Sequence, residues 1–418
     1  MTQPVVPPAS HDAPSEPSAA GSTAGALVVL VVSLFFIWGA ATSLNDILIP
    51  KLKGLFRLSY ADSMLIQFAF FTAYAVVSVP AGALVARLGY GKGIVLGLGV
   101  MAAGCLIFLP AASTATYGLF LAALFVLAGG ITILQVAANP LIANLGAASG
   151  GPSRLTLAQA FNSFGTTIAP YVGARIILAP LNSGGATPAG MIGHTYLVIA
   201  IILALVAAVF WVLRARLGDA DPAASFSDSF TLMRRPRLAF GVAAIFVYVG
   251  AEVAIGSLMV NYLTQSSTLG VSPESAGELL PFYWGGAMVG RFVGSVVLRL
   301  ASPGKVLTGA TVGAAALVLI SCFSHGEVAG WALLSVGLMN AIMFPTIFSL
   351  ALEGLGDKTP EGSGLLCMAI VGGAIIPLIS GKMADMVGLS MALLVPVACY
   401  AVIAGYGWYA RKPAEAQL

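Results

Sequence analysis

Charge is what these 418 residues have least of: Asp, Glu, Lys and Arg together make up 8%, where a soluble domain carries roughly 25%. With 59% of residues hydrophobic, a soluble fold would expose apolar surface that aggregates, so a water-soluble enzyme or binding module is excluded. Cysteine is sparse, and Cys105, Cys322, Cys367 and Cys399 each lie inside a long apolar run with no paired spacing. That excludes a disulfide framework and a zinc site, and leaves them as small buried apolar residues. Histidine is sparser still: His11, His194 and His325 sit near the start of the chain or at loop edges, too little for a metal centre or a histidine proton relay. No P-loop string (GxxxxGK followed by Ser or Thr) occurs, which argues against transport driven by ATP. No cofactor is expected.

Long apolar runs are what remains. A membrane helix needs about 20 apolar residues, and the runs predict spans near 26–50, 60–85, 93–112, 115–144, 154–180 and 192–214, then 238–264, 276–299, 304–323, 328–352, 363–387 and 389–410. The fold class is therefore an all-α membrane protein of twelve transmembrane helices. Residues 1–24, rich in Ser, Pro and Ala without Lys or Arg, read as a disordered tail. They are not expected to be a signal peptide, which opens on a basic segment.

Lys and Arg in short loops set orientation. Arg87, Lys92, Arg154, Arg214, Arg216, Arg234, Arg235, Arg237, Arg299, Lys305, Lys358, Arg411 and Lys412 fall on one side, against Lys51, Lys53, Arg57 and Lys382 on the other. Both termini are thus expected in the cytoplasm, with a cytoplasmic linker at 215–237 and a cytoplasmic tail at 411–418. Positive-inside bias accounts for that basic linker without nucleic acid as a partner.

The two halves repeat. Gly82, Arg87 and Lys92 after the second span match Gly294, Arg299 and Lys305 after the eighth, with one extra residue in the turn. Asn139-Pro140 in the fourth span matches Phe344-Pro345 in the tenth, and Arg154, Gly165 and Pro170 match Glu361, Gly372 and Pro377 at identical spacing. A six-helix bundle at 25–214 and a second at 238–410 follow. Such proteins bind a solute between their halves near the midplane and expose it alternately to each side.

Polar groups inside a span are costly unless paired or wetted, so they are functional candidates. Trp38, Thr42, Asn45 and Asp46 fall within an arc of about 100° on the first helix, and Gln159, Asn162 and Thr166 within about 60° on the fifth. Gln135 and Asn139 lie one turn apart in the fourth span, and Gln67 precedes the aromatic set Phe68, Phe71 and Tyr74 in the second. Aromatic faces beside amides suit a sugar, whose C–H face stacks while its hydroxyls take paired hydrogen bonds. In the second half Tyr283, Trp284, Asn340 and Phe344 are expected to close over the solute. Helix-to-helix glue is the bland reading for any one of these residues; it fits the set less well.

Two acids stand out. Asp46 is near the end of its span, where a carboxylate opposes the helix dipole and caps nothing, so a chemical role is the better reason for it. Glu252 lies deep in an uninterrupted apolar run, with Arg291 of the eighth span as the obvious partner. It is either a proton carrier or one half of a structural pair; the residues leave both open.

The strings FFIWGAATSLNDILIP at 35–50, QFAFFTAYAVVSVPAG at 67–82, QVAANP at 135–140, LAQAFNSFG at 157–165, YVGAEVAIGS at 248–257 and FPTIFSLAL at 344–352 carry a resemblance over almost the whole chain. It resembles the fucose, glucose and galactose proton symporters of the major facilitator superfamily. The resemblance implies proton handling at Asp46 and sugar binding at Asn162. It also marks two departures from the fucose branch, Gln135 for a glutamate and Glu252 for a glutamine, a pattern more like the glucose and galactose branch. Ala86 stands where the family's loop motif usually has Asp.

The expected function is import of a neutral hexose such as glucose or galactose by proton symport, by a monomer in a bacterial inner membrane. Its partners are the sugar, protons and the lipid bilayer; proton-coupling candidates are Asp46 and Glu252. Substrate-binding candidates are Trp38, Asn45, Gln67, Gln135, Asn139, Gln159, Asn162, Tyr283 and Asn340. Alternatives are another sugar such as fucose, mannose or N-acetylglucosamine, or a drug exporter of the same fold. An exporter favours a broad apolar cavity, whereas amides cluster here.

Overall fold

The computed structural model describes residues 19–57, 60–177, 188–217 and 226–412. Twelve long helices follow one another: α1 Ala19–Phe56, α2 Tyr60–Leu88, α3 Tyr90–Thr114, α4 Tyr117–Asn144, α5 Gly151–Ile177, α6 Pro188–Leu213, α7 Pro236–Leu263, α8 Pro273–Leu300, α9 Pro303–Phe323, α10 Gly326–Leu352, α11 Gly356–Val387 and α12 Leu389–Tyr409. Helices are what hydrocarbon demands, because each backbone N–H and C=O must find its partner within the segment. Nine helices among the described residues are apolar enough over a full window to cross a bilayer.

Both boundaries of α1 differ from expectation, and α11 starts at Gly356, seven residues before its expected start. Helix α1 starts at Ala19, inside the stretch 1–24 expected to be a tail, because the last helix-breaking residue is Pro17 and the run after it holds no proline before Pro50. It then continues past the predicted end to Phe56, so Lys51 and Lys53 are on a helix rather than in a loop. Helices α10 and α11 are each interrupted. The first breaks at Ala341–Ile342, four residues before Pro345, whose missing N–H leaves the Ala341 carbonyl without its helical partner. The second carries a tight turn at Ala369–Val371.

Helix α3 packs on α4 and α6, α1 on α5, and α2 on α4; in the second half α9 packs on α12, α7 on α11, and α8 on α10. The repeat is visible at single atoms. A Cβ on Gly165 would be 2.3 Å from the Phe36 carbonyl oxygen, and one on Gly372 would be 2.0 Å from the Phe246 carbonyl oxygen. These two glycines, matched in the sequence, let α5 touch α1 and α11 touch α7 backbone to backbone.

The halves meet along α2 with α11 and α5 with α8. At the basic end this seam is shut. A Cβ on Gly82 would stand 2.9 Å from the Pro360 carbonyl, while Ser153 Oγ donates to the Ser295 carbonyl at 2.6 Å and accepts from Arg299 Nε at 3.0 Å. Pro140 frees the Val136 carbonyl of α4 as Pro345 frees that of Ala341. Ser363 Oγ of α11 donates to it at 2.9 Å, so a bond that proline removed from one half is remade by the other.

Candidate functional site

A cavity of about 170 Å³ opens on the seam between the halves. Trp38 and Thr42 of α1, Tyr74 of α2, Gln135 of α4, and Gln159, Asn162 and Thr166 of α5 form one wall. Tyr248, Val249 and Glu252 of α7, Arg291 of α8, Phe344 of α10 and Ile370 of α11 form the other. The helical arcs read in α1 and α5 thus turn Trp38, Thr42, Gln159, Asn162 and Thr166 toward one space.

The first-half wall is neutral. Asn162 Nδ2 donates to the Phe35 carbonyl at 3.0 Å, which ties α5 to α1 and leaves the amide oxygen for another donor. Gln135 Nε2 donates to Tyr74 Oη at 2.7 Å. Trp38 is buried against Phe35, ring centroids 4.1 Å apart, so its indole is held in place at the cavity edge.

The second-half wall is charged. Tyr248 Oη donates to Glu252 Oε1 at 2.8 Å, and Arg291 Nη2 stands 4.0 Å from the same oxygen. At that distance the pair attracts without closing a hydrogen bond. Arg291 spends its other donors elsewhere: Nη1 on Ser163 Oγ of α5, and Nε on the Ala341 carbonyl at 3.3 Å. Arg291 therefore answers the carbonyl orphaned by Pro345 and crosses the seam as well.

Three of the substrate-binding candidates, Asn139, Tyr283 and Asn340, do not line this cavity, and neither does Trp284. Asn340 is fully buried in a chain of hydrogen bonds: Tyr400 Oη donates to its Oδ1 at 2.8 Å, its Nδ2 donates to Tyr283 Oη at 3.0 Å, and Tyr283 Oη donates to the Glu252 carbonyl at 3.1 Å. Tyr283 and Asn340, expected to close over the solute, instead brace α7, α8, α10 and α12 behind Glu252. Asn139 is fully buried too, with neither amide atom partnered among the described residues. The side chains of Asn45, Asp46 and Gln67 lie outside the described residues. Ser163 and Tyr248 were not singled out as candidates. A signal for Arg291 and its partners lay in Pro345, because a proline inside a span advertises an acceptor four residues earlier.

A larger recess of about 470 Å³ between α8 and α10 is lined by Phe282, Met288, Val289, Trp331 and Leu338. Its walls are nearly all apolar and lie on the outer surface of the bundle, so it offers no chemistry comparable to the seam. Among the described residues no group of His, Cys, Asp and Glu could hold a metal ion, and all four cysteines are buried.

A two-part helical bundle with a polar cavity on its internal seam is the architecture of a membrane transporter, not of an enzyme. The profile of the Major Facilitator Superfamily matches residues 29–375, and the chain belongs to that family. It is 50% identical over 381 residues to the glucose/galactose transporter of Brucella abortus biovar 1 (strain 9-941), spanning 91% of this chain and 92% of that protein. It is 36% identical to the L-fucose-proton symporter of Escherichia coli (strain K12), spanning 90% of each. A crystal structure of a Major Facilitator Superfamily transporter, FucP, in the outward conformation superposes with a TM-score of 0.81 at 33% identity, over 93% of this chain and 99% of that one.

Proposed function

We propose that this protein imports a neutral hexose, glucose- or galactose-like, together with protons, by alternating access across a bacterial inner membrane. The observation that carries the reading is the seam cavity, with an indole and three amides on one wall and a carboxylate beside an arginine on the other. Stacked and hydrogen-bonded recognition of a pyranose needs that mixture, and a cavity for apolar drugs does not. The named activities of the Brucella and Escherichia coli relatives support the same substrate class.

In this reading Trp38, Gln135, Gln159 and Asn162 hold the sugar, joined by Asn45 and Gln67, while Asp46 and Glu252 handle the proton. The bundles 25–214 and 238–410 rock about the seam, linked by 215–237, and the protein works as a monomer with both termini in the cytoplasm. The shut basic end corresponds to a state open to the outside. Protonating Glu252 would remove the charge that faces Arg291 and loosen a side chain that ties α8 to α7, α10 and α5. Radiolabelled uptake into vesicles, competed with a panel of sugars with and without a pH gradient, tests both parts. Glucose or galactose should compete best and the gradient should drive accumulation; a panel without hexose competition, or uptake indifferent to the gradient, rejects the reading.

A further inference from the structure

The basic end of the bundle carries the same arrangement twice. At the end of α6 the Arg214 guanidinium lies over the Trp211 ring, its Cζ 3.9 Å from the centroid, and Nη1 donates to the Trp211 carbonyl. At the end of α12 Arg411 lies over Trp408, Cζ 3.3 Å from the centroid, with Nη1 donating to the Trp408 carbonyl at 2.9 Å. Each arginine backbone is seated against a glycine of the neighbouring helix. A Cβ on Gly91 would be 2.4 Å from the Arg214 carbonyl, and one on Gly304 would be 2.6 Å from the Arg411 Cα. The next residues, Lys92 and Lys305, are both exposed, so each corner carries a second cation one residue from that glycine.

Tryptophan at the end of a spanning helix belongs at the headgroup level. Trp211 is 50% and Trp408 58% exposed, and Leu205 and Val209 earlier on α6 are exposed apolar side chains of the kind that meet acyl chains. Positive-inside bias puts cations near such helix ends, but it does not require each arginine to be held in one plane over an indole. A guanidinium fixed by stacking and by one carbonyl bond keeps further N–H donors in fork geometry, which matches two oxygens of a phosphate, and the lysine adds a point charge. Basic pockets between helix ends on this side of a membrane recognise anionic headgroups.

We infer that each corner binds the phosphate headgroup of an anionic phospholipid. The test is native mass spectrometry of the full chain released from bilayers of phosphatidylglycerol mixed with phosphatidylcholine. The wild-type protein should keep phosphatidylglycerol in preference to phosphatidylcholine, with the retained amount falling about fivefold for each cation removed. Arg214→Gln should empty one corner, Arg411→Gln the other, and the double variant both. Lys92→Gln with Lys305→Gln alters only exposed side chains, and gives the same readout should the arginine variants fold poorly. Trp211→Leu with Trp408→Leu keeps the formal charge and should still lower retention, because the guanidinium is no longer held. Equal retention of the two lipids, or retention unchanged in the tryptophan and lysine variants, overturns the inference.

Discussion

The two walls of the cavity come from halves that share a backbone plan and little of their chemistry. Positions matched by the repeat differ at the cavity: Gln159 and Asn162 on α5 line it, where α11 has Leu366 and Ala369. Both halves spend a proline inside a span, yet the released carbonyls are met differently, Val136 by a serine from across the seam and Ala341 by an arginine from within its own half. Duplication kept the positions that let helices touch, such as Gly165 and Gly372, and released the rest to diverge. The first half lines the cavity with neutral dipoles; the second is organised around one acid and one arginine beside a tyrosine.

The contrast predicts the largest effect on the charged wall. Arg291→Leu leaves the Glu252 carboxylate uncompensated and the Ala341 carbonyl unmet, and breaking a pair of this kind costs about 3–5 kcal/mol. Thermal unfolding in detergent should drop markedly, and adding Glu252→Gln should restore part of the loss; an unchanged melting temperature in the single variant would break the comparison. Next comes the neutral wall, where Asn162→Ala should leave folding intact and weaken sugar binding by about 1–3 kcal/mol, roughly 5- to 150-fold in affinity. Calorimetric affinity within twofold of wild type removes Asn162 from the site.

Gln135→Glu moves an acid onto the neutral wall. A carboxylate cannot donate to Tyr74 as the amide does, so Tyr74 must turn its own hydroxyl toward it. The pH profile of uptake or the order of sugar preference should shift, and an indistinguishable profile would mean that the cavity wall does not read this position. The smallest effect is expected at the seam itself. Ser363→Ala orphans the Val136 carbonyl at a cost of about 1 kcal/mol, felt only while the basic end is shut. Alkylation of Cys367, buried one turn away, should quicken in the variant; an equal rate would mean that this bond does not hold the seam.

The spans, their number and the repeat were legible because hydrocarbon forces helices and punishes charge, so apolar runs and the few polar exceptions are both informative. The α1 and α5 faces were legible for the same reason, since helical geometry alone aligns Trp38 with Thr42 and Gln159 with Asn162. Tyr283 and Asn340 were misplaced because periodicity reports which residues share a face, not whether that face meets solute or another helix. The tryptophan and arginine repeat at α6 and α12 was not legible because spacing does not show that each arginine folds back over the indole three residues before it.

Coupling is the claim on which the account rests. In a weakly buffered suspension of de-energised cells, adding glucose or galactose should alkalinise the medium as protons enter with the sugar. Asp46→Asn should abolish that change and gradient-driven accumulation while still exchanging internal for external sugar. Hexose entry with no pH change in the wild-type protein, or continued accumulation by Asp46→Asn, would contradict it.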